Sequence, residues 1–307
     1  MSVGGAKTLR KPAALISTAK FLALMKRASF GRRVVPGAPP DPINGYALVL
    51  AMPGWINELL GHALPARLVE EAQLIQANLL VHLQYLDDAL DGQSQAGRGN
   101  PAVPLMAAHR RLARLFPPED PFWFDFRRLG EEQQASARWE ATGRHARSPP
   151  FDDALLRAIA GKAALVRWPA TGMARLARRP QIKERLDPLL ARFLALVLLF
   201  DDLTDVEEDA SEGRINAVLC AAGECSRDAF RFYPGIARGA HVVCSKVREE
   251  LARLKREVPS GSAFARVCEY MSKRCAGVEE SFAVACQVRL AGHMAATLAN
   301  ALRVPTC

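Results

Sequence analysis

The chain has 307 residues, half of them apolar, and a formal charge of +9. That length allows one large domain or two small ones, with a sizeable core. The charge does not mark a nucleic-acid binder, because it is confined to one end. Residues 1–40 hold eight Lys or Arg and no acid, and the remaining 267 residues carry 33 basic against 32 acidic groups. The two longest apolar runs are residues 13–25, broken by Lys20, and residues 186–200, which carry Asp187 and Arg192. Neither reaches the length of a bilayer span, so no transmembrane segment is expected. All seven Cys lie at or after Cys220 and form no Cys-x-x-Cys pair. Reduced thiols packed on helices fit that distribution, and they place the chain in the cytoplasm.

Residues 1–40 read as a basic, flexible segment. Membrane-surface association or organelle targeting through it stays open. From residue 43 onward the apolar positions recur at helical spacing. The runs are 47–60, 68–90, 104–115, 132–143, 152–177, 180–209, 217–232, 240–258, 263–284 and 285–302. Gly and Pro clusters separate them, among them Gly92-Gln93-Ser94, Pro117-Pro118, Ser148-Pro149-Pro150 and Pro259-Ser260-Gly261. No run alternates as a strand does. The pattern predicts an all-α fold: one helical bundle of nine to eleven helices over residues 41–307.

One acidic pattern occurs twice, 114 residues apart: Asp87-Asp88-Ala89-Leu90-Asp91 and Asp201-Asp202-Leu203-Thr204-Asp205. Only 14 Asp occur in the chain, so the repetition is unusual. On a helix the first and fifth residues share a face. Here that face continues an apolar stripe. Leu80 and Leu83 lead to Asp87, Leu90 and Asp91, while Phe193 and Val197 lead to Asp201, Asp205 and Asp209. Carboxylates in line with a core face repel one another and tend to protonate. A cluster of hard cations with oxygen ligands, bridged by an anionic ligand, removes the conflict.

The two motifs resemble the paired aspartate-rich motifs of class I isoprenoid synthases, which include prenyl diphosphate synthases, terpene cyclases and head-to-head condensing enzymes. Arg98-Gly99-Asn100-Pro101 is similar to the loop after the first motif. Residues 159–177, with Lys162, resemble the helix whose Lys contacts diphosphate. Residues 186–214 resemble the second-motif helix, with Asp209 four beyond Asp205. The likeness covers residues 68–216. It implies a bundle whose motifs face each other across a central apolar pocket. Asp87, Asp88, Asp91, Asp201, Asp202 and Asp205 would be catalytic. With Asp209 they would bind three Mg²⁺, or Mn²⁺ in its place. Arg98, Lys162, Arg167 and Arg214 would hold diphosphate. Leu80, Leu83, Trp168, Phe193, Val197 and Phe200 would wall the pocket. The substrate implied is a prenyl diphosphate of ten to twenty carbons, and a homodimer is compatible with the likeness.

The departures narrow the activity. The Gly-Gly-Lys-x-x-Arg-Pro-like cluster that holds a second diphosphate in chain-elongating relatives is replaced by residues 52–58 and Pro65-Ala66-Arg67. The Gln usually found just before the second motif is Phe200. This favours a terpene synthase that ionises one prenyl diphosphate and releases a cyclic or linear product. A prenyltransferase is the alternative, because the Asn-x-x-x-Ser-x-x-x-Glu motif and the C-terminal Arg-Tyr pair of typical cyclases are missing. An inactive partner subunit is the further alternative.

Overall fold

The computed structural model describes residues 45–90, 100–143, 149–223 and 228–303. Side chains are described within these, excluding 87–90, 143 and 300–303. The described residues form ten α-helices and no strand: α1 Gly45–Leu59, α2 Ala66–Leu90, α3 Ala102–Leu115, α4 Phe122–Gly143, α5 Asp153–Lys162, α6 Trp168–Leu176, α7 Lys183–Glu212, α8 Ala217–Ala222, α9 Ala229–Glu257 and α10 Ala263–Arg303. Two 3₁₀ turns, Ala164–Arg167 and Pro180–Ile182, flank α6. The all-α expectation holds, and all described residues belong to one compact unit.

Helix α7 is the axis of the packing, with α1, α5, α6, α8 and α9 against it. Its sequence explains this. Leu186, Leu189, Leu190, Phe193, Leu194, Leu196, Leu199, Phe200 and Leu203 are all buried, so apolar residues surround it on every side over more than four turns. Phe193 meets Trp55 of α1 edge-on at 5.6 Å and Phe264 of α10 at 5.0 Å, which joins three helices through one aromatic cluster. Burying a ring such as Phe193 contributes roughly 1.5–3 kcal/mol.

Four boundaries differ from the periodicity, each for a local reason. The 152–177 run divides at Ala164–Arg167, because Pro169 has no N–H to return to Leu165. The 217–232 run stops at Ala222, where Gly223 takes φ +81°, and helix resumes at Ala229 under an Asp228 cap. The last two runs fuse, since nothing between Val284 and Ala285 interrupts a helix. Helix α4 also starts ten residues before the 132–143 run, where a Phe and Trp cluster obscured the period.

Candidate functional site

The second acidic motif ends α7. Gly213 terminates that helix in a left-handed conformation, φ +66°, which glycine adopts without the steric penalty other residues meet. The Asp209 carbonyl then accepts the Arg214 N–H at 2.9 Å. Two residues on, Asn216 caps α8, its Oδ1 accepting the Val218 N–H at 2.9 Å. The Asn216 amide donates to the Asp202 carbonyl at 2.7 Å and to Asp209 Oδ2 at 2.8 Å. Asp202 Oδ2 accepts the Ala217 N–H at 2.8 Å. One side-chain amide and two carboxylates therefore fasten the motif to the start of α8.

The four acids of this motif divide into two pairs. Asp202 and Asp209 turn inward to these bonds. Burial pushes Asp202 up to about 7, against the attraction of Lys162 and the Ala217 N–H. Burial likewise raises Asp209 to about 6, opposed by the Asn216 hydrogen bond and by Arg214. Asp201 is exposed and Asp205 half-buried, one turn apart, with Asp205 Oδ1 accepting the Thr204 hydroxyl at 3.1 Å. Both are hard oxygen donors on one helix face, and Asp202 is a half-buried residue whose raised carboxyl pKa a cation would relieve. The donor chemistry fits Mg²⁺ at Asp201 and Asp205. Among the described residues, no three His, Cys, Asp or Glu side chains converge as a complete metal nest.

Lys162, the last residue of α5, lies beside the motif. Its Nζ donates to Glu140 Oε1 of α4 at 2.8 Å. Lys162, Asp201 and Asp202 line one cavity of about 30 Å³, whose apolar side is Trp139, Ile159, Leu198 and Ile215. That volume suits about one water molecule. A larger surface groove, about 440 Å³, lies elsewhere between α5 and α9, lined by Phe151, Leu156, His241 and Lys246 among others. None of the expected site residues lines it.

Arg214 also reaches the motif helix, with Nη1 3.3 Å from Asp209 and Nη2 3.4 Å from Glu208. Arg167 does not reach it. Its guanidinium grips both Glu132 oxygens at 2.7 Å and Asp187 Oδ1 at 3.0 Å. Asp187 precedes Asp201 by fourteen residues, or about 21 Å of helix. Arg167 is thus a buried structural cation between α4 and α7, which corrects its expected diphosphate role.

The wall residues are core. Trp168 and Phe193 are fully buried, Leu80, Val197 and Phe200 nearly so, and Leu83 packs half-buried against them. Asp87 and Asp88 lie on the last turn of α2, but their side chains fall outside the described residues, as do Asp91 and Arg98. The chain returns from that segment beside α2, where His82 Nδ1 meets the Pro101 carbonyl at 2.9 Å. Burial lowers the His82 pKa, so the ring is neutral and donates there.

Comparison with protein-family models, curated proteins and solved structures finds no match.

Sequence reading missed Trp139, Glu140, Ile159, Leu198, Ile215 and Asn216. Two of these carried a signal: Leu198 lies three residues before Asp201, and Ile159 three before Lys162, each on the same helix face. Trp139 and Glu140 come from α4 and had none.

Proposed function

We propose that this chain is a Mg²⁺-dependent class I terpene synthase, which ionises a prenyl diphosphate and converts the carbocation to a cyclic or linear terpene. The observation that carries the reading is the shared cavity of Lys162, Asp201 and Asp202, with apolar residues on its other side. A charged head and an apolar tail need those two surfaces adjacent. Lys162 would hold diphosphate oxygens, exchanging its Glu140 partner for them. Asp201 and Asp205, with Asp87, Asp88 and Asp91, would hold the metal, Mg²⁺ or Mn²⁺. Bound metal supplies positive charge that stabilises the departing diphosphate. Arg214 would balance the acids at the end of α7. Ile159, Leu198 and Ile215 would exclude water from the cation, and Trp139 would offer it a ring face.

The test is turnover. Purified protein with Mg²⁺ and geranyl, farnesyl or geranylgeranyl diphosphate alone should release diphosphate and a hydrocarbon or alcohol, read by gas chromatography. Asp201→Ala and Asp87→Ala should each abolish product with helical content unchanged. Product only with added isopentenyl diphosphate would make the chain a prenyltransferase. The small cavity favours one second reading, an inactive partner subunit. Absence of turnover with every substrate, alone or combined, would sink the enzyme and leave that reading.

A further inference from the structure

The far end of α10 departs from the way the rest of the chain folds. Its first half buries one stripe, Phe264, Cys268, Met271 and Cys275, against the body. From Ala291 to Ala299 every residue is exposed, and only His293 and Thr297 among them are polar. Val284, Val288, Met294 and Leu298 are each more than half exposed. An apolar helix open on all sides requires an apolar environment on all sides.

Charge narrows what that environment is. No Asp or Glu occurs from Ser281 to the end of the chain, whereas Arg303 does, beyond the apolar stretch. The first forty residues are acid-free as well. Both ends of the chain are thus suited to an anionic surface. Geometry limits the depth. Arg289 is ion-paired to Glu207 of α7, and the His293 ring lies 5.7 Å from Tyr233 of α9, so the helix is held to the body up to that point. The ten residues from Met294 to Arg303 then extend about 15 Å. A hydrocarbon core is about 30 Å thick. By length and composition Ala263–Ala299 passes for a membrane-crossing helix, but its first half is occupied by packing on α9.

We propose that the end of α10 inserts into one leaflet of an anionic lipid bilayer without crossing it. A second copy of the chain would cover only the seam of Val284, Val288, Ala291, Ala295 and Leu298, spaced by fours and threes. It would leave Met294 and Ala296, on opposite flanks of that seam, in water. The bilayer covers them all.

The experiment is flotation of the full-length protein with vesicles of phosphatidylcholine alone or mixed with phosphatidylglycerol. The protein should float with the mixed vesicles, and Met294→Asp/Leu298→Asp should weaken this by about tenfold or more. Both sites are exposed, and an unchanged melting curve would show the variant folded. As a second readout, Leu298→Trp should gain fluorescence that brominated acyl chains quench. Three results would each overturn the proposal. The native protein fails to float with either vesicle, the double aspartate variant floats as well as the native chain, or light scattering shows a dimer that this variant dissociates while vesicle binding stays unchanged.

Discussion

Replacing Asp202 by Asn should stabilise the protein at neutral pH, although the residue lies beside the proposed metal ligands Asp201 and Asp205. Burial holds the carboxyl at about 7, where an ordinary Asp titrates near 3.8. In the unfolded chain the group ionises near its ordinary value. As pH rises from 4 to 7 the unfolded state loses its proton while the folded state keeps it. Stability is therefore full below pH 4 and falls as pH rises toward 7, beyond which the loss is complete. A shift of about three units corresponds to about 4 kcal/mol. Asn keeps the shape and an oxygen to accept the Ala217 N–H, so the fastening to α8 survives. At about 2–4 °C per kcal/mol for a chain of this size, Asp202→Asn should melt roughly 10 °C higher at pH 8. At pH 4 the two proteins should melt together. The assay is thermal unfolding by circular dichroism with chelator present, across pH 4 to 8. An Asn variant that melts no higher than the native chain at pH 8 would refute the burial argument.

Arg167→Ala should destabilise by about 3 kcal/mol or more, since Glu132 and Asp187 lose the cation between them. The effect is read from urea unfolding, and an Arg167→Ala protein with native stability would return Arg167 to the list of ligand-binding candidates. Gly239 sits where α9 crosses α8, and a Cβ there would lie 2.2 Å from the Val218 carbonyl oxygen and 3.0 Å from the Ala222 nitrogen. Gly239→Ala should therefore cost about 1–3 kcal/mol. By displacing α8 it should also weaken Mg²⁺ binding at the motif, measured by titration calorimetry.

The all-α class was legible in the sequence because it follows from helical periodicity without strand alternation. Lys162 was singled out by a resemblance of residues 159–177, and it lines one cavity with Asp201 and Asp202. Arg167 was misplaced for a physical reason. It stands five residues after Lys162, on what reads as one continuous helix over 152–177. The 3₁₀ turn Ala164–Arg167 redirects it toward Glu132 and Asp187 instead. The wall residues illustrate a second limit. A stripe of Phe193, Val197 and Phe200 looks the same whether it faces a ligand or other helices, and here it faces other helices.

The doubled Asp of the second motif acquires a separate reason for each residue. Exposed Asp201, which lines the cavity, and half-buried Asp205 share a helix face, where oxygen atoms can serve a cation. Asp202, next in sequence and about 100° around the helix, meets α8 and accepts its first free N–H. Asp209 lies two turns beyond Asp201 and shares Asn216 with Asp202. The inward acids thus fix the angle at which the outward acids are presented, through one amide side chain. A carboxylate so placed is costly at neutral pH, as the value near 7 for Asp202 indicates. A fold needing only a helix junction would be served better by Asn at that position. The acid makes physical sense if a cation nearby lowers that cost when it binds, which is the same condition the proposed diphosphate chemistry imposes.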